Sequence, residues 1–436
     1  MHLSDEELLA EVSRRGLTTL PMPTTPPTAA GMVHAPAERT GLTWRSLWID
    51  WRLLWIYTGP GWLMSLAYLD PGNLEADLQM GAYTGLQLIW VLWWSTCMGL
   101  VLQLLAARLG VGTGLNLAQM CRAEYPRCVS NTLWVMTEVA IIGSDIQEIV
   151  GTAIAFQILF GFPLWLGALL TALDTFTFLG LHYFGIRKLE AFVCALVLVM
   201  AVCFAVNFFS SPPPLIDIVR GSIVPVVPSY GLNVAVGTVG AVIMPHNIYL
   251  HSALVQSRKI DRDDKVQVAT ANKYFGIESG IALFASFWIN LFVVGSYADT
   301  FFERACAEVT GGPYAELPFG GNKGFLNDTG VCDARTDVNQ HSACCGTIGL
   351  AQTQVALAGT LGDGAKYIWA VGLLAAGQAS TMTGVFAGQY VMEGFLKLQI
   401  APWKRLVLTR SIALIPALLT ALETQSHPKI SDDVDQ

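Results

Sequence analysis

Four residues in a row, Asp70-Pro71-Gly72-Asn73, stand inside an apolar run that begins near Leu53. In a water-soluble chain this quartet would make an ordinary type I turn. In a segment apolar enough to cross a bilayer it breaks the helix. Pro71 removes a backbone donor and Gly72 adds freedom, at a depth where lipid tolerates no unpaired backbone. A carboxylate there is costly and marks a functional position. Far downstream a second apolar run is interrupted in the same way, by Met244-Pro245-His246-Asn247. Paired broken helices in corresponding halves of a chain point to the substrate site of a transporter. The donors on offer are an anionic oxygen from Asp70, an amide oxygen from Asn73, a thioether from Met244, and carbonyls of unwound backbone near Ala67 and Ala241. Oxygens alone suit Mg²⁺ or Ca²⁺, whereas a thioether favours softer transition metals. Met244 could instead be core packing, but its place directly before Pro245 favours a ligand.

A second group of titratable residues lies in the third apolar run. Glu138, Asp145 and Glu148 share one side of a helix. Three acids in one such segment are too costly to face lipid. They fit either a proton relay toward Asp70 or ion pairs with arginines of another span, and the relay is the preferred reading. His246 suits a protonation role or a hydrogen-bonded place in the core equally well, and His251 is a weaker candidate. Enzyme signatures do not emerge. The chain has no His-Glu-x-x-His zinc motif, no phosphate loop with lysine, and no Gly-x-Ser-x-Gly elbow. Gly110 to Gly114 reads as loop or close helix packing.

The elements that must hold these residues follow from composition. Of 436 residues, 53% are hydrophobic and 13% charged, with mean hydropathy +0.49. Soluble domains carry about 25% charged residues, so this is an all-α integral membrane protein. The net charge of -8 reflects acids in loops and tails, and no nucleic-acid footprint is visible. Nine spans are predicted at about 53–82 (broken), 86–107, 131–160, 163–183, 189–209, 232–256 (broken), 275–298, 365–391 and 406–422, each near the roughly 20 residues a bilayer needs. The third is long enough to tilt or project. Residues 1–52, with a Pro/Thr-rich stretch from Leu20 to Pro36, read as a disordered cytosolic tail, and 424–436 as a short polar tail. The sequence opens without a signal peptide. Most of the 25 lysines and arginines fall in segments that are cytosolic when the N-terminus is cytosolic, which sets that orientation. The long loop at about 299–364 is then extracellular. It carries the sequon Asn327-Asp328-Thr329 and the cysteines Cys306, Cys332, Cys344 and Cys345, which make up to two disulfides or stay as free thiols. Cys97, Cys194 and Cys203 read as small packing residues.

The two broken motifs together resemble the signature pair of the Nramp (divalent metal transporter) family. Further stretches resemble it too: Thr137-Glu138-Val139-Ala140 through Asp145-Ile146-Gln147-Glu148, Gly377-Gln378-Ala379-Ser380-Thr381-Met382-Thr383-Gly384, and Leu408-Thr409-Arg410-Ser411-Ile412-Ala413. The similarity covers about residues 45 to 423. It implies a LeuT-type fold of two inverted five-helix repeats, the first at about 53–209 and the second, incomplete, at about 232–422, with helices one and six unwound. It implies proton-coupled import of Mn²⁺ or Fe²⁺ toward the cytosol, without a resident cofactor, from the plasma membrane or an endosomal or vacuolar membrane. By resemblance the metal ligands are Asp70, Asn73 and Met244 with the carbonyls of Ala67 and Ala241. Protons would move through Asp70, Glu138, Asp145, Glu148 and His246, with Arg410 as the matching arginine of the ninth helix. The family fold needs ten core helices, and no apolar run follows Glu423, so a truncated product is expected. Alternatives are a proton-coupled amino-acid symporter of the same fold, or a non-transporting isoform that modulates a full-length relative.

Overall fold

The computed structural model describes residues 33–34, 49–171, 186–210, 212–228, 231–302, 349–350, 353, 363–397 and 402–426. Asn327 and the four loop cysteines lie outside the described residues, as does most of the 1–52 segment. Two residues of that segment, Val33–His34 (β1), pair in parallel with Arg258–Lys259 (β2).

Everything else described is helix or connection. The helices are α1 (Trp51–Tyr57), α2 (Pro60–Ser65), α3 (Pro71–Thr84), α4 (Ile89–Thr113), α5 (Leu117–Glu124), α6 (Arg127–Phe160), α7 (Ile186–Ser210), α8 (Leu215–Ile223), α9 (Leu232–Val242), α10 (Pro245–Leu254), α11 (Lys265–Phe301), α12 (Asp363–Leu396) and α13 (Pro402–Ser426). Helical segments fall within each of the nine expected spans, the fourth being described only through Thr171. Four helices, α4, α6, α11 and α12, are each long and apolar enough to cross a bilayer unaided. The 34 residues of α6 exceed the roughly 20 that a bilayer core requires.

Two predicted breaks are present, and a third was not foreseen. The proline ring disfavours the helical region for the residue before it. Asp70 (ψ 165) and Met244 (ψ 121) are accordingly extended, and α3 and α10 restart with proline at the first helical position, where no donor is needed. The unforeseen break separates α1 from α2 at Gly59, whose φ of 146 suits glycine.

Helix α12 packs against α6 and α7, and α11 packs against α3 and α4. A central cluster of Leu69, Leu74, Leu78, Phe204, Trp369 and Leu373 is fully or almost fully buried. Gly151 of α6 faces Pro71 with no room for a Cβ, so the broken segment seats directly on α6. At the end where α1 lies, Tyr57 stacks on Tyr274 and meets Phe275 edge-on. There Arg258, 1% exposed, donates Nη2 to the Thr58 carbonyl (2.7 Å) and Nε to the Ile56 carbonyl (3.1 Å). The Gly59 amide donates to Glu278 Oε1. The carbonyls that α1 leaves open at its C-terminus are thereby satisfied by a cation, and the donor after it by an anion.

Replacing Arg258 with alanine strips buried carbonyls of charged donors, a loss of about 3 kcal/mol. Hydrogen exchange of Trp51–Tyr57 is expected to become at least tenfold faster in Arg258→Ala, while α11 and α12 keep their protection.

Candidate metal site

The site starts from the two prolines. In a continuous helix the carbonyl of residue i accepts from the amide of i+4. For Ala67 that residue is Pro71 and for Ala241 it is Pro245, neither of which has an N–H. Both carbonyls therefore lack their helical donor by sequence alone. Asn73 Nδ2 donates to the Ala67 carbonyl at 3.2 Å and to Asp70 Oδ1 at 2.7 Å. Asp70 Oδ1 also caps α3 by accepting from the Asn73 backbone amide at 2.7 Å. Asp70 and Asn73 are each 1% exposed, so a carboxylate, an amide and a backbone carbonyl converge in a buried space. The neighbouring carbonyls are held from α11, where Ser286 Oγ donates to Ser65 and Asn290 Nδ2 to Tyr68.

A cavity of about 410 Å³ reaches this point between α3, α6 and the α9–α10 break. Its wall includes Gly72, Glu75, Gln147, Ala241, Met244 and His246. Asp70 lies just behind Gly72, buried. The cavity is lined along α3 by Gly72, Glu75, Ala76 and Gln79 and along α9 by Gly237, Gly240 and Ala241. Met244 and Ala241 thus share one wall with Gly72, and a thioether, a carbonyl, a carboxylate and an amide are gathered around the two breaks.

The acids of α6 divide. Asp145 and Glu148 are buried with Arg410 of α13, whose Nη2 lies 3.0 Å from Glu148 Oε2 and 3.8 Å from Asp145 Oδ1. Ser380 Oγ of α12 donates to Glu148 Oε1 at 2.6 Å. Glu138 is only half-buried and accepts from Trp134 on its own helix. The structure therefore joins two acids to Arg410 and leaves Glu138 apart from that group. His246 is buried in the first turn of α10, and its Nδ1 has no hydrogen-bond partner among the described residues. His251 is fully buried, with Nε2 3.5 Å from Ser279 Oγ.

Sequence reasoning passed over Asp77, Ser380, Arg258 and Glu278. Asp77 is 1% exposed, with Oδ2 unpartnered among the described residues. It sits two turns beyond Asp70 on the same helical face, and an acid in that register was a usable signal. Ser380 was quoted within a motif, yet nothing in the sequence says which acid it serves. Arg258, a charged residue in a short connection, gives no sign of burial in the sequence, and only packing reveals it as buried.

A sequence profile described as natural resistance-associated macrophage protein-like matches residues 61–430. The chain belongs to the Nramp family. It is 51% identical over 393 residues to the metal transporter nramp1 homolog of Dictyostelium discoideum, covering 90% of this chain and 66% of that protein. It is 49% identical over 384 residues to natural resistance-associated macrophage protein 2 of Homo sapiens, covering 86% and 64%. The chain thus spans about two thirds of the length of these curated Nramp relatives. A crystal structure of the Eremococcus coleocola manganese transporter, bound to an aromatic bis-isothiourea compound, superposes with a TM-score of 0.71 at 32% identity, covering 91% of this chain and 75% of that one. MHP1, a nucleobase-cation-symport-1 family transporter, matches in fold with a TM-score of 0.50 at 14% identity, covering 86% and 72%. This Nramp chain is a multi-pass membrane protein with the LeuT-type inverted-repeat fold.

The buried ion cluster makes a stability prediction. Arg410→Gln leaves two buried carboxylates facing each other, a penalty of about 3–5 kcal/mol. Its thermal midpoint in detergent is expected to fall clearly at neutral pH, and most of the loss should be recovered in Arg410→Gln/Glu148→Gln.

Proposed function

We propose that this chain is a transporter and not an enzyme. It carries divalent transition metals, Mn²⁺ or Fe²⁺, toward the cytosol with coupled movement of protons. The observation that carries this reading is one cavity lined by residues of both helix breaks, Gly72 from the first and Ala241, Met244 and His246 from the second, with Asp70 and Asn73 buried beside it. Asp70, Asn73, Met244 and the carbonyls of Ala67 and Ala241 would then offer a mixed oxygen and thioether donor set. Hard oxygens strip water from a divalent ion, and the thioether discriminates against Mg²⁺ and Ca²⁺. The relatives named above, a metal transporter and a manganese transporter, agree with it.

The conformation supports alternating access. One approach is open as the cavity along α3 and α9, and the end where α1 lies is packed with Arg258 and stacked tyrosines. With the N-terminus cytosolic, as the charge distribution argues, the open approach faces outward and would receive cargo. Asp145, Glu148 and Arg410 supply a buried set of charges beside the broken helix, suited to passing a proton while Asp70 holds the ion. His246 and Glu138 are candidates for the same path. The cargo ion and the protons are substrates, the bilayer is the surrounding partner, and no resident cofactor is invoked. The membrane would be the plasma membrane or an endosomal or vacuolar one, with Asn327 a glycosylation acceptor on the outer face.

The test is Mn²⁺ uptake into proteoliposomes holding the 436-residue chain under an inward proton gradient. Asp70→Ala should abolish uptake, and retained uptake would sink the site assignment. Met244→Ala should leave Mn²⁺ transport within a few-fold while Ca²⁺ becomes an effective competitor. Equal losses for all ions would remove the ligand role of Met244.

A further inference from the structure

Gly72 marks a place where two side chains from different helices come together. A Cβ built on Gly72 would run into the Gln147 amide oxygen, with Gln147 Cδ at 2.9 Å and Asp70 Oδ1 at 3.6 Å. The amide of α6 and the carboxylate of the helix-one break therefore share the space that glycine leaves empty, a few ångströms from one another. Their environments differ. Asp70 is buried, whereas Gln147 is exposed and forms part of the cavity wall. An ion moving along the cavity meets Gln147 before it meets Asp70.

We propose that Gln147 is a cargo-contact residue, whose amide oxygen replaces a hydration water as the divalent metal passes from the cavity to Asp70. The inference rests on the metal-transport reading above and adds a ligand from α6 to donors that otherwise come from the two broken helices. A neutral amide suits this place. It is a hard oxygen donor that lowers the cost of dehydration, and it adds no second negative charge beside Asp70 that would hold the ion too tightly to release. Gly72 has its own part in the arrangement, since any side chain there would push the amide away from Asp70.

The experiment is calorimetric titration of the purified 436-residue chain with MnCl₂ and with CaCl₂. The variants are Gln147→Ala, Gln147→Glu, Gly72→Ala, Gly72→Ala/Gln147→Ala and Asp70→Ala. Gln147→Ala should weaken Mn²⁺ binding about tenfold. Gln147→Glu, which keeps an oxygen donor, should bind Mn²⁺ at least as well as the unaltered chain and gain Ca²⁺ affinity. Gly72→Ala should match Gln147→Ala, and the double variant should be no weaker than either single one. Unchanged Mn²⁺ affinity in Gln147→Ala, with binding lost in Asp70→Ala, would overturn this inference and leave the site reading intact. So would a Gln147→Glu as weak as Gln147→Ala, because the amide would then act through its N–H. Mn²⁺ binding unaffected by Asp70→Ala would overturn both.

Discussion

The ring of proline disfavours a helical conformation in the residue before it, and its nitrogen carries no hydrogen. Applied twice, at Pro71 and Pro245, that one steric and chemical constraint organises the centre of this molecule. It makes Asp70 and Met244 extended, leaves the carbonyls of Ala67 and Ala241 without their helical donors, and ends two helices beside one cavity. Such ends need partners, because the hydrocarbon offers no water. Asn73, Ser286 and Asn290 take up part of that demand, and the rest of the fold is arranged to bring them there.

The two ends of the broken first helix are treated differently. The α3 half borders a cavity, whereas α1 is pinned by the Arg258 guanidinium, by Glu278 and by aromatic stacking on α11. A guanidinium is well suited to this, since its planar donors reach two carbonyls at once while its stem packs among apolar groups. Gly59, just after α1, stands at a backbone angle that few residues other than glycine adopt.

Beside the break, buried Arg410 meets two buried carboxylates. Ser380 adds a donor to Glu148 and so distinguishes it from Asp145, whose distance to the guanidinium is longer. Proximity of this cluster to Pro71 through Gly151 gives it direct mechanical contact with the broken helix.

Much of this was legible in the chain itself. Low charge and long apolar runs determine a membrane protein of helices, because a bilayer admits little else, and the Asp-Pro-Gly-Asn and Met-Pro-His-Asn interruptions determine where two helices stop, because the pre-proline constraint is local. Asp145 and Glu148 were legible as acids sharing a face. Tertiary structure alone decided which arginine they meet, since Arg410 stands 262 residues from Glu148 in the chain. It also decided that Glu138 stands apart, that Arg258 is buried and not solvated, and that Gln147 reaches the void beside Gly72. These depend on how helices distant in sequence are set against each other. Helical period and residue type report the face of one helix, but not the identity of the side chain across from it.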